Sequence, residues 1–135
     1  MASKASSLVT LTTKNYLAEA KIRNHFVVID EPTSIGGDDN APTPVEYLLT
    51  ALGSCVAITL RMYAEKKEWD LGKINVEVYQ KDELKPEGLQ KSIVEEISFE
   101  KELSEEQKDK LLEIAAKCPV AKLIKGETKI TSKLK

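Results

Sequence analysis

The sequence predicts an α+β fold, with antiparallel sheets wrapped around a long central helix, on three observations. A nearly continuous apolar segment, Val45 to Met62, follows a helix start at Thr43-Pro44-Val45-Glu46. Six alternating segments read as strands, grouped before and after that helix. The breaks between the first strands, Lys14-Asn15 and Arg23-Asn24, are short enough for hairpin turns, which favour antiparallel pairing.

Taken in order, Leu8-Val9-Thr10-Leu11-Thr12, Tyr16 to Ile22 and Phe26 to Asp30 form the first three strands. In the second, Tyr16, Ala18, Ala20 and Ile22 share a face, with Glu19 and Lys21 opposite. Glu31 to Thr43 is a loop, punctuated by Pro32, Gly36, Gly37, Asp38, Asp39, Asn40 and Pro42. Thr43 then caps a helix with Pro44 at its first position and an acid in its first turn. That helix is apolar on nearly every side, which predicts a central position. Ile74 to Tyr79 and Ser92 to Glu100 are strands joined by a turn over Asp82 to Leu89. Ser104-Glu105-Glu106-Gln107 opens a further helix with a capping box. It runs to about Lys117, with Leu111, Leu112, Ile114 and Ala115 inward. Cys118-Pro119 starts another short helix that ends near Gly126, and Thr128 to Leu134 is a last alternating strand.

The chain has 135 residues, the size of one domain, here 7–135 behind a flexible tail at 1–6. Its net charge of −2 and 5% aromatic content, with lysines and glutamates interspersed, argue against nucleic acid as a partner. No apolar stretch follows Lys4 as in a signal peptide, and the uncharged run Tyr47–Leu60 is short for a bilayer. The expectation is a cytoplasmic protein without a membrane partner. In that compartment two cysteines need an explanation other than a structural disulfide.

Cys55 follows Gly53-Ser54. Glycine inside a helix costs about 1 kcal/mol against alanine. A kink there would let Cys55 begin a fresh helix, with unpaired N–H groups and the positive dipole end favouring a thiolate. Cys118, directly before Pro119, reads as another helix N-cap. Two readings of the pair stay open on spacing alone: buried core fillers and a redox couple. Zinc has too few ligands in two cysteines and His25. The Gly36-Gly37 loop lacks the spacing of a phosphate cradle.

The stretch Asp30-Glu31-Pro32, Gly36-Gly37-Asp38, Ala41-Pro42-Thr43-Pro44-Val45-Glu46-Tyr47-Leu48-Leu49 and Ala51-Leu52-Gly53-Ser54-Cys55 resembles the OsmC/Ohr-like proteins. It is closest to their branch with a Gly-Gly-x-Asp/Asn loop and a Pro-x-Glu-x-Leu-Leu helix start. Cys118-Pro119-Val120 is similar to the family's second cysteine motif. The resemblance implies an intertwined homodimer with sites at the subunit interface. It implies a thiol peroxidase that reduces organic hydroperoxides and hydrogen peroxide, Cys55 being the nucleophile and Cys118 the resolving thiol. It implies no bound cofactor, and recycling by an external dithiol, such as a lipoyl group, or by a small thiol. Relatives carry an acid ten positions before the first cysteine to orient an arginine. Here that position is Val45, and Glu46 stands nine before. Arg23 is the candidate cation, held by Glu46, while Arg61 is expected to serve the far end of the helix. Ala121 stands where relatives carry histidine. The alternative, favoured by Val45, is a non-catalytic protein that binds an apolar small molecule or senses redox state at the dimer interface.

Overall fold

The computed structural model describes residues 4–135. Of the expected tail, 1–3 lie outside the described residues, and 4–6 are exposed without regular structure. The order is β1 (Leu8–Leu11), β2 (Ala18–Ile22), β3 (His25–Ile29), α1 (Pro44–Lys67), β4 (Ile74–Lys85), β5 (Gly88–Phe99), α2 (Glu105–Ala115) and α3 (Pro119–Lys125). The chain divides into two compact units, with the boundary between Leu48 and Leu49 inside α1.

In the first unit β1, β2 and β3 form an antiparallel meander, Val9 facing Ala20 and Ala20 facing Val27. Asn15 and Arg23 take positive φ in the connections, as tight reversals require. The loop after β3 is organised by Asp30, which is buried. Its carboxylate accepts the N–H groups of Asn40 at 3.1 Å and Glu31 at 2.8 Å. Those bonds, Asn40's first, hold the Asp30 carboxyl below its ordinary pKa against the opposing effect of burial. At Gly37 a Cβ would overlap the Glu31 carbonyl, so this turn of the chain admits only glycine. Thr43 and Glu46 close a capping box at the start of α1, and Tyr47 Oη donates to the Val28 carbonyl at 2.8 Å.

In the second unit one side of α1 supplies Leu52, Gly53, Val56, Leu60 and Ala64 to a core completed by Leu71, Leu111, Ala115, Cys118 and Ala121. Val76, Val78, Ile97 and Phe99 of the β4–β5 hairpin pack against it. Ser104 and Gln107 form the expected capping box of α2. Arg61 serves the helix end by donating to the Gly72 carbonyl at 2.6 Å.

Six expectations are corrected. α1 is one unbroken helix through Gly53-Ser54. The glycine instead permits close approach, since a Cβ there would stand 3.0 Å from Val78 Cγ2. α1 is not covered all round: Val45, Leu48, Ile58 and Met62 are exposed, because this chain packs only one side of it. By length and composition α1 could cross a bilayer, contrary to the short run read from the sequence, although its inner side is committed to the core. The turn expected over Asp82 to Leu89 shrinks to Pro86-Glu87, because the polar stretches on either side pair in register from Asp82–Lys91 to Lys85–Gly88. Leu112 faces outward and Thr128 to Leu134 is no strand. An alternating segment becomes a strand only beside a partner edge, and it has none among the described residues.

Candidate functional site: a two-cysteine contact

Cys55 and Cys118 are 63 positions apart in sequence and meet in the core of the second unit. Cys55 projects from the middle of α1, one residue before the fully buried Val56 and three after Leu52. It is partly exposed, whereas Cys118 has 0% exposure. The chain places Cys118 by stopping α2 at Ala115 and restarting at Pro119, whose missing N–H and fixed φ suit the first helical position.

Cys118 is the N-cap of α3. Its Sγ accepts the Ala121 N–H at 3.3 Å, and its carbonyl accepts the Lys122 N–H at 3.2 Å. The sulfur that meets free helix N–H groups is therefore Cys118 and not Cys55, which lies inside α1 where N–H groups are spent on the helix ladder. Burial pushes the Cys118 thiol's pKa up. The Ala121 N–H pulls it down, and the hydrogen bond and charge repulsion with Cys55 push it up again. The two thiols thus share one core cluster, Cys55 partly exposed at its edge and Cys118 buried within it as a protonated thiol.

The other two candidates belong to the first unit. Arg23 sits in the β2–β3 connection with φ 55°. Glu46 accepts the Thr43 N–H at 2.8 Å. In the unbroken α1, Glu46 stands nine residues before Cys55, on the other side of the boundary between the two units. The helix itself brings no acid or cation to the sulfur. Ala121, which stands where the resemblance would put a histidine, contributes its backbone N–H and no polar side chain. Only the Cys118-Pro119 pair in the sequence signals that donor, since proline marks the first residue of α3.

A hollow of about 500 Å³ lies beside α3, with Leu52, Ile93, Ala115, Ala121 and Ile124 among its lining. A second, of about 720 Å³, lies between β5 and α2 and is lined by Leu60, Ile97, Phe99, Leu103 and Leu111 with neighbours. Neither cysteine lines it.

The arrangement can be compared with known proteins. A proposed osmotic stress induced and detoxification response protein from Psychrobacter arcticus 273-4 is 26% identical, with a TM-score of 0.74 over 90% of this chain and 89% of that one. An OsmC-like protein from Mycoplasma pneumoniae is 20% identical, with a TM-score of 0.71 over 94% and 91%. An organic hydroperoxide resistance protein from Elizabethkingia anophelis is 16% identical, with a TM-score of 0.71 over 94% and 91%. The latter two share the fold. No curated protein matches the chain. The OsmC family model, described as OsmC-like protein, matches residues 36–133, which include both cysteines and all of α1 to α3. This chain belongs to the OsmC-like protein family.

Proposed function

We propose that the chain is a thiol-dependent peroxidase that reduces organic hydroperoxides, with Cys55 as nucleophile and Cys118 as resolving thiol. The observation that carries this reading is a partly exposed Cys55 packed against the core cluster that holds the fully buried Cys118. An oxidant arriving from solvent reaches Cys55 first. Its thiolate attacks a peroxide oxygen, forming an S–O bond as the O–O bond breaks, and the departing alkoxide takes a proton to become the alcohol. Cys118 then attacks the sulfenic acid sulfur and water leaves, giving a disulfide. An external dithiol of the lipoyl kind returns both thiols. Apolar neighbours, Leu52 and Val56 of α1, favour an organic peroxide over a small polar one. Arg23 is the proposed cation for the developing negative charge and Glu46 the acid that positions it. Both belong to the N-terminal unit, and the working assembly in this proposal is a homodimer.

Cys55→Ser should abolish consumption of cumene hydroperoxide in the presence of a dithiol. Turnover by this variant at the parent rate would refute the assignment.

The hollow between β5 and α2 favours a second reading, a binder of small molecules with an apolar body and a polar end, because Leu60, Ile97, Phe99, Leu103 and Leu111 line it together with Lys101, Glu102, Lys108 and Asp109, and it holds no cysteine. In that case Leu111→Trp, which fills the hollow, would abolish ligand binding and leave both thiols equally reactive.

A further inference from the structure

In the reduced protein Cys118 Sγ serves two neighbours. It belongs to the core cluster against which Cys55 packs, and it accepts the Ala121 N–H that would otherwise be an orphan donor of α3. A disulfide draws sulfurs to about 2.05 Å with a dihedral near 90°, closer than any hydrogen-bonded pair of thiols. One sulfur must therefore move. Cys55 stands mid-way along a 24-residue helix, flanked by the buried Leu52 and Val56. Cys118 starts a helix of 7 residues whose one buried residue is Ala121 and which continues into an exposed segment without regular structure. The Cys118 side yields.

We propose that closing the Cys55–Cys118 disulfide uncaps α3, so that Pro119–Lys125 loosens and opens the hollow it borders. Through Ala121, Ile124 and Lys125, α3 forms one wall of that hollow. Loosening it uncovers the Cys118 sulfur, which is sealed in the reduced state, at the stage when an external dithiol has to reach the bridge. The oxidised site then admits its reductant by a route that the reduced site keeps shut. The inference rests on the redox reading of the pair, but on bridge formation alone and not on peroxide turnover.

The test is hydrogen exchange read by mass spectrometry on the full chain, reduced and after treatment with diamide. Diamide takes one hydrogen from each thiol and becomes its hydrazine, so the bridge forms without peroxide. The intact mass should show loss of two hydrogens. Amides of Ala121 to Gly126 should then exchange about five-fold faster, the size of effect expected for a lost helix cap, while those of α2 stay unchanged. In the reduced state Cys118→Ala should show the same acceleration, and Cys118→Ser, whose oxygen restores the acceptor, should match the parent. The proposal is overturned if the bridged chain protects α3 as well as the reduced chain does. It is equally overturned if Cys118→Ala is protected like the parent, or if diamide forms no bridge. Failure of the peroxidase reading shows differently: cumene hydroperoxide persists while the diamide bridge and the uncapping still occur.

Discussion

Two side chains of similar chemistry take unequal parts here because their surroundings differ. Cys55 meets solvent and Cys118 does not, so in the proposed peroxidase access alone puts Cys55 first in the order of oxidation. Without a resolving thiol, the sulfenic acid on Cys55 has no internal trap. Cys118→Ser should therefore consume about one equivalent of hydroperoxide and then gain further oxygen at Cys55, detected as sulfinic acid by mass spectrometry. Sustained turnover in that variant would remove Cys118 from the cycle. Asp30 makes a separate residue-scale prediction. Its folded pKa lies below that of the unfolded chain, so it adds stability above the unfolded carboxylate value of about 3.9 and loses it as pH falls through the folded value. Asp30→Asn should lower the thermal midpoint at neutral pH. Below about pH 4 the parent's midpoint should fall more steeply than the variant's. Parallel curves would contradict this role. The resemblance motif in the sequence included Asp30, but its work of holding the Gly36-Gly37-Asp38 loop through backbone N–H groups is a matter of chain path, which no spacing encodes.

At the scale of elements, local chemistry was the readable part. Proline after Cys118, Ser104 with Gln107, and Thr43 with Glu46 each mark a helix start, and each cap stands where its residues put it. Gly53 was the misleading signal. A glycine within an apolar helix can mean a break or a close neighbour, and only the position of Val78 on β4 decides between them. A branched side chain there should force α1 and the hairpin apart. Gly53→Val should lose about 1–3 kcal/mol in urea unfolding. Leu60→Ala, at a fully buried position of the same helix, should lose about 2–5 kcal/mol through the cavity it leaves. Equal stability of Gly53→Val and the parent would mean the helix and hairpin are not in firm contact. The length of the β4–β5 hairpin was hidden for another reason: its outer half is polar, so pairing and not burial determines it.

For the molecule as a whole, what one chain leaves uncovered is as informative as its core. α1 exposes Val45, Leu48, Ile58 and Met62, and the C-terminal segment exposes Ile130 and Leu134 on alternate positions without a neighbouring strand. The sequence marked the first set as core and the second as strand. Both patterns are sound as sequence signals, and the homodimer that the family resemblance implies would offer a surface to cover them. Light scattering should therefore give twice the 15.0 kDa chain mass in solution, and a monomer at micromolar concentration would leave these surfaces unexplained. The central claim is narrower and sits at the two sulfurs. Its most direct measurement is a non-reducing peptide map after one equivalent of cumene hydroperoxide. The peptide holding Cys55 should be joined to the peptide holding Cys118 within one chain. Recovery of Cys118 as a free thiol beside an oxidised, unbridged Cys55 would contradict it.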